Sequence, residues 1–333
     1  MGETILVTGS SGFLGSYIAR ELVERGHRVV GLDLVEPRPE HAWVQEPARG
    51  GIELVLGGLE GWAPLVALME RHRPAAIVHN AAFVRLDLLA REPHKALRLN
   101  TEASVNVFEA ARIFGVRRAV YLSSTGVLPR RQYEPIDAAH PIFTATESSP
   151  DTFYAASKIA SEAFAWAYHH SFGLDTMIVR PSAMYGFGMQ WPMFIKPIVE
   201  NSLRGIPARF ETGGEFPRDY THVKDVARLV RHCVEVPGDR VRDRCFYGAT
   251  GRDPVTPLHV AEIVRELIPG ADIEIGTGLT PLEQWDAATR GRYDISAAEA
   301  QLGHTPRFAD LREGIADYIE DLRRYGAPNE EDR

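Results

Sequence analysis

The sequence has almost no cysteine: Cys233 and Cys245 are the only two in 333 residues. They are not spaced as a redox CxxC or a zinc knuckle. A long apolar run is also missing, since no segment approaches the roughly 18 residues needed to cross a bilayer. Nor is there a surplus of positive charge. Against 45 acidic residues stand 37 basic ones, for a net charge of −8, which leaves no electrostatic footprint for nucleic acid. No set of His, Asp and Glu has metal-ligand spacing, so no metal is expected. Met1-Gly2-Glu3 offers no basic leader and runs straight into a strand-like segment, so no signal peptide is expected. These absences point to a cytoplasmic protein with reduced thiols and neither membrane nor nucleic-acid partners. What is present is ordinary globular composition, 44% hydrophobic and 25% charged, enough to bury a substantial core.

The first half alternates β-branched runs with helical stretches. The pattern predicts strands over 4–8, 28–33, 52–56, 76–79, 118–123 and 175–180. It predicts helices over 13–25, 62–72, 94–114 and 153–172, three of them stopped by Gly26, Gly115 and Gly173. Such alternation implies right-handed crossovers and a parallel sheet with helices on both faces. The fold class is therefore α/β, a doubly wound parallel sheet. After Arg180, proline and glycine become frequent and long βα alternation stops. A smaller C-terminal lobe is expected over 182–222 and 251–333. A helix at 223–236 and a strand at 244–247 return to the sheet, so the main domain is 1–181 plus 223–250. Helices near 257–267 and 311–325 complete the lobe, and the tail 327–333 is expected to fray.

Three groups of residues carry chemistry. The first strand runs into Thr8-Gly9-Ser10-Ser11-Gly12-Phe13-Leu14-Gly15. Glycines between a strand and a helix let backbone approach a pyrophosphate seated on the helix N-terminus. The spacing is G-x-x-G-x-x-G rather than G-x-G-x-x-G, and a plain tight turn is the bland alternative. Asp33 ends the second strand, where an acid can accept both ribose hydroxyls of NAD and repel a 2′-phosphate. A turn aspartate is the alternative, and nearby Arg38 leaves NADP open. Finally, Ser123-Ser124-Thr125 ends a strand, and Tyr154 and Lys158 stand at i and i+4 on one helical face. An ammonium beside a phenol favours the phenolate and lowers its pKa. The tyrosine can then move a proton on a substrate hydroxyl or carbonyl.

Together these residues resemble the extended short-chain dehydrogenase/reductase family, also called the NAD-dependent epimerase/dehydratase family. Further motifs along nearly the whole chain carry the resemblance: His79-Asn80-Ala81-Ala82, Asn100, Arg180-Pro181, Tyr185-Gly186, and Arg218-Asp219-Tyr220-Thr221-His222-Val223. Arg292, Asp294, Ser296, Leu302, Gly303 and Pro306 follow the family's C-terminal pattern. The resemblance implies a Rossmann-type NAD-binding domain and a substrate-binding lobe. It implies catalytic Ser124, Tyr154 and Lys158. It implies cofactor contacts at Gly9, Gly12, Phe13, Leu14, Gly15, Asp33, Ala81, Asn100, Tyr154, Lys158 and Pro181. Ser124 is chosen over Thr125 by register, because Val127 lies three residues after Ser124 as in the family's pattern. Relatives pair the helices over 94–114 and 153–172 into a dimer, so a homodimer is expected.

Departures from the pattern bear on the substrate. Gly58 stands where relatives often place an acid near adenine. Val127-Leu128-Pro129 replaces "VYG", and Ala183 replaces an asparagine that faces a diphosphate in nucleotide-sugar relatives. Thr125-Gly126 replaces the Asp-Glu of dehydratases, which makes water loss unlikely chemistry for this chain. Substrate-contact candidates are Arg85, Thr125, Ala183, Arg218 and Arg292. The bland alternatives are a solvated loop arginine for Arg85 and structural ion pairs for Arg218 and Arg292. The apolar residues Met184, Phe187, Met189, Trp191, Met193 and Phe194 are read as lobe core rather than substrate wall. His169, His170 and His222 are given no ligand role. The expected chemistry is hydride transfer between NAD and a secondary hydroxyl or ketone. Ala183 and Leu128 tip the reading to a dehydrogenase acting on a small sugar-like, acidic or alicyclic substrate. The alternative is a nucleotide-sugar epimerase of the UDP-sugar 4-epimerase type. A cofactor sensor on the same fold is a third reading, against which the intact Ser-Tyr-Lys set argues.

Overall fold

The computed structural model describes residues 2–142 and 152–326. The expected frayed tail, 327–333, lies outside the described residues. Strand β1 (Thr4–Thr8) leads through the glycine turn into α1 (Phe13–Glu24), and β2 (Arg28–Asp33) follows. A short helix, α2 (Pro39–Gln45), precedes β3 (Ile52–Leu56), α3 (Trp62–His72) and β4 (Ala76–His79). Helix α4 (Leu86–Arg91) comes next. The following helix begins as a wide π turn, Ala96–Glu102, and continues as α5 (Ala103–Ile113). Then come β5 (Arg118–Leu122), α6 (Phe153–Phe172) and β6 (Thr176–Pro181).

The second lobe interleaves short elements: β7 (Ala183–Tyr185), α7 (Ile195–Leu203), β8 (Ala208–Phe210) and β9 (Tyr220–His222). Helix α8 (Val223–Glu235) and β10 (Cys245–Gly248) return to the main sheet, where β10 pairs in parallel with β6. Helix α9 (Pro257–Leu267), β11 (Ile273–Ile275), α10 (Pro281–Ala287) and α11 (Leu311–Tyr325) complete the lobe. Two small parallel pairs, β7 with β9 and β8 with β11, stiffen it.

The main sheet has seven parallel strands in the order β10-β6-β5-β4-β1-β2-β3. Its side chains alternate strictly between two cores. Ile5 and Val7 of β1 pack on one face with α1 and α8, while Leu6 packs on the other with α3, α5 and α6. Val120 and Leu122 of β5 join the first core, and Ala119 and Tyr121 the second. That period of two explains why these strands read as continuous apolar runs: both faces are covered. Strand order reverses between β1 and β4, and there a crevice opens beyond the carboxyl ends of the strands. No helix among the described residues is long and apolar enough to cross a membrane.

The predicted helix over 94–114 is thus two segments, and α2, α4, β7 and α7 add to the elements expected from the sequence. Pro37, Pro39 and Pro93 break the periodicity around α2 and before the π turn. Within the lobe β7 and α7, of three and nine residues, are too short for periodicity to register.

Candidate active site

A cleft of about 770 Å³ opens at the switch point between the sheet and the lobe. One wall is the glycine turn. Gly9 adopts φ +70°, and a Cβ there would come within 2.8 Å of the Ala81 backbone, so the β1 and β4 loops touch only because this residue is glycine. Gly12 is the N-cap of α1 and no side chain caps the helix; a Cβ on it would meet only the Gly9 carbonyl, at 3.4 Å. The first amides of α1 are therefore free of any capping side chain and open to an anion. Phe13 and Leu14 line the cleft beside them. Gly15 does not line it. A Cβ on Gly15 would lie 1.9 Å from the Gly9 carbonyl, so glycine there lets α1 pack on the turn.

Asp33 stands on the cleft wall at the end of β2. Its Oδ2 accepts the Ser11 amide at 2.9 Å and its Oδ1 the Leu34 amide at 2.7 Å. The turn reading and the ribose reading thus coincide in one carboxylate with lone pairs to spare. Arg38, the residue that left NADP open, lies on the same wall. The uncapped helix, the close glycine approach and this acid form a cradle whose shape and donors fit a dinucleotide.

Ala81 lines the cleft, and a relay of hydrogen bonds holds its loop. The Ala81 amide donates to Thr8 Oγ1 (3.2 Å), which meets His79 Nδ1 at 2.8 Å. His79 Nε2 meets Ser104 Oγ at 2.9 Å, and that hydroxyl donates to the Asn100 carbonyl. Burial, reinforced by Lys158, brings His79 down to about 3, so a neutral Nε2–H tautomer completes the relay. Asn80, quoted above only as part of a motif, donates from Nδ2 to the Gly9 carbonyl at 3.1 Å.

Asn100 departs from the sequence expectation. It is buried and absent from the cleft wall. Its Oδ1 accepts the Phe83 amide at 2.7 Å, and its Nδ2 donates to the Phe83 carbonyl at 3.1 Å and to Ser157 Oγ at 3.0 Å. It clamps the loop after β4 onto α6 and shapes the cleft from behind. The π turn is what carries it to both partners.

Helix α6 begins at Thr152, whose side chain caps the Ala155 amide. Tyr154 therefore sits in the first turn and Lys158 one turn on, both on the cleft wall. Lys158 Nζ donates to the Leu122 carbonyl at 2.6 Å and lies 4.9 Å from the centre of the Tyr121 ring and 5.8 Å from that of Tyr154. The phenol's pKa is raised here rather than lowered. Burial pushes Tyr154 up to about 12, with the Ser124 hydroxyl pulling it back. Burial also brings Lys158 down to about 7, opposed by Glu162. Desolvation opposes charge on both groups. Ser124, two residues beyond β5, accepts the Gly126 amide on its Oγ at 3.0 Å and meets the Tyr154 hydroxyl, while Ser123 rather than Ser124 is the serine on the cleft wall.

The remaining candidates divide. Pro181 and Ala183 line the cleft. Arg85 also lines it, yet it is exposed and forked onto Asp87 by two bonds of 2.9 and 3.0 Å. Thr125 is buried beside Tyr293. Arg218 lies 4.4 Å over the Phe216 ring and pairs with Asp286 at 3.2 Å. Arg292 is exposed, with its amide on Glu134. Sequence reading passed over the guanidinium that turns inward, Arg290, which shares Asp286 with Arg218; the R-G-R spacing offered two candidates and no signal of their direction. Met184, Met189 and Met193 line the cleft as well as packing on the core, whereas Trp191, which also lines it, is exposed and outside the core. The arginine of the Arg180-Pro181 motif points away, into a buried bidentate pair with Glu162.

Comparisons with known proteins agree with this geometry. The profile of the NAD dependent epimerase/dehydratase family matches residues 5–243. The UDP-glucose 4-epimerase of Mycolicibacterium smegmatis is 31% identical over 96% of this chain and 98% of its own length. A probable UDP-glucuronate 4-epimerase of Rhizobium meliloti is 25% identical over 95% of each. Among solved structures, MoeE5 in complex with UDP-glucuronic acid and NAD is 28% identical with a TM-score of 0.76, covering 96% of this chain and 99% of that one. The UDP-glucose 4-epimerase of Thermotoga maritima with UDP-glucose has a TM-score of 0.82 over 96% and 99% at 23% identity, a likeness of fold. The chain belongs to the NAD dependent epimerase/dehydratase family and is an NAD-dependent hydride-transfer enzyme of the extended short-chain dehydrogenase/reductase type.

Proposed function

We propose that this enzyme epimerises a nucleotide-activated sugar, inverting a ring carbon that bears a hydroxyl. The observation that carries the reading is charge in the second lobe. Arg218 and Arg290 share a single carboxylate, Asp286, which leaves one guanidinium charge in excess. Arg290 Nε is buried with no hydrogen-bond partner among the described residues. A diphosphate would meet both needs. The pair adjoins the cleft wall: the Asp219 carbonyl, next to Arg218, accepts from Ser182 Oγ (2.9 Å) and the Ala183 amide (3.2 Å). The names of the relatives, UDP-glucose and UDP-glucuronate 4-epimerases, support the same class.

In this reading Gly9, Gly12, Phe13, Leu14, Asp33, Ala81 and Pro181 hold NAD, with Gly15 and Asn100 shaping the site from behind. NAD held there would supply reversible hydride transfer at the substrate carbon. Tyr154 accepts the hydroxyl proton at its phenolic oxygen and gives it back when the carbonyl is reduced. Ser124 Oγ holds that same oxygen. Lys158, at about 7, carries charge near neutrality and favours the phenolate while it exists. Residues 182–222 and 251–326 form the substrate lobe, and the protein works in the cytoplasm as a homodimer through α5 and α6.

Ala183 and Leu128 favour the second reading, a dehydrogenase on a smaller substrate. Incubation with NAD and UDP-glucose or UDP-glucuronate, followed by proton NMR and absorbance at the reduced-nicotinamide band, separates the two. A new stereoisomer without net reduced cofactor is the expected result. Reduced cofactor accumulating with a ketone would establish the dehydrogenase instead.

A further inference from the structure

His41, on α2, is buried on the cleft side and both its ring nitrogens meet carbonyl oxygens. Nδ1 lies 2.8 Å from the Ser11 carbonyl and Nε2 lies 2.9 Å from the Gly188 carbonyl. A carbonyl only accepts, and a neutral imidazole donates from one nitrogen only. The imidazolium alone satisfies both contacts. The two carbonyls belong to different parts of the enzyme. Ser11 is in the glycine turn, where Asp33 already holds its amide. Gly188 is in the lobe segment that continues into Met189, Gln190 and Trp191 on the cleft wall. Gly188 is at φ +84°, and a Cβ there would stand 3.0 Å from the His41 ring, so the approach depends on glycine. Neighbouring contacts reinforce the same junction: Gln45 donates to the Ser10 carbonyl (2.9 Å), Tyr17 to the Phe187 carbonyl (3.0 Å), and Trp43 stacks on Phe187.

We propose that His41 is a positioning residue: as an imidazolium it joins the loop that receives NAD to the lobe wall that faces substrate, so that the two are placed as one unit. The proposal rests on the cleft's binding NAD, not on the identity of the substrate. The charged groups on the elements around the ring are Glu40 on α2 and Arg38 just before it, Asp33 behind Ser11, and Arg20 of α1 with Asp317 and Asp321 of α11 about Tyr17. Raising the pH removes the second ring proton, and one of the two carbonyls loses its donor. NAD affinity therefore falls as pH rises.

The test is 15N NMR of histidine-labelled, NAD-loaded protein from pH 6 to 8.5, with His41→Gln assigning the ring, together with the NAD dissociation constant by calorimetry over the same range. The expected spectrum shows both His41 nitrogens protonated at the low-pH end of the series. Wild-type NAD affinity falls with pH, while His41→Gln binds about 10-fold or more weakly at low pH, as for a lost charge-assisted bond, and with a flat profile. His41→Asn, which keeps one donor, serves if the glutamine variant does not fold. A ring singly protonated throughout, or a variant that keeps the wild-type pH dependence, overturns the proposal.

Discussion

Replacing Asn100 with alanine removes three hydrogen bonds at once: the Phe83 amide onto Oδ1, and Nδ2 onto the Phe83 carbonyl and Ser157 Oγ. Each such bond contributes about 0.5–1.5 kcal/mol net, so the loss is about 2–4 kcal/mol. The partners left behind are buried or half-buried, which places the effect toward the upper half of that range. Asn100→Asp keeps the acceptor for the Phe83 amide but sets a second acceptor against the Phe83 carbonyl, and it should be no milder than alanine. Urea unfolding followed by far-UV circular dichroism gives the stability change at constant slope. NAD affinity, read in parallel, should fall as well, because Asn100 holds the loop carrying Ala81 to Arg85. A residue acting only by touching the cofactor would weaken NAD and leave the unfolding midpoint in place. A stability loss below about 0.5 kcal/mol, half the usual worth of one hydrogen bond, would refute the clamp.

Three further outcomes are expected. Tyr154→Phe should lower kcat by about 10²–10⁴-fold, the usual worth of a positioned acid–base, with NAD affinity nearly unchanged in fluorescence titration; surviving activity would remove Tyr154 from the mechanism. Asp33→Ala should weaken NAD and narrow its advantage over NADP, because both the ribose acceptor and the anchor of the Ser11 amide are lost; an unchanged preference in paired KM measurements would show that another group reads the ribose. Burial raises the Asp317 carboxyl, but His222 and Lys224 overcome it and hold it at about 2. Its folded pKa is thus below the unfolded one, so its contribution of about 2 kcal/mol is present above pH 4 and lost as pH falls toward 2. Asp317→Asn should flatten thermal stability over that window, and an unaltered acid transition would contradict the assignment.

The seven-stranded sheet was legible because burial on both faces leaves unbroken apolar strands, and because glycine stops mark the long helices. The glycine turn, Asp33, Tyr154 and Lys158 were legible because each is fixed by local chain geometry, a turn or one helical face. The directions of long side chains were not. Arg292 matched the pattern and points outward, while Arg290, two residues earlier, pairs inward with Asp286. Asn100 was assigned to the cofactor, yet its partners lie 17 and 57 positions along the chain, and tertiary contacts of that kind leave no local trace. The same holds for the charge states of Tyr154 and Lys158. Spacing sets Tyr154 beside Lys158, but burial decides which of them is ionised, and burial is a property of the fold. His41 was invisible because α2 is short and bounded by prolines.

The measurement that tests the account most directly follows one hydrogen. A UDP-hexose carrying deuterium on the hydroxyl-bearing carbon that the 4-epimerase relatives invert would be incubated with the NAD-loaded enzyme, and the products read by NMR and mass spectrometry. Deuterium retained on the inverted carbon, with no label in water, is the expected result, because the hydrogen leaves and returns within one cleft. Loss of the label to solvent would mean that carbon is inverted by proton exchange and would contradict the mechanism proposed for Tyr154, Ser124 and Lys158; recovery of the label in released reduced cofactor would mean a net dehydrogenase and would contradict the proposed epimerisation.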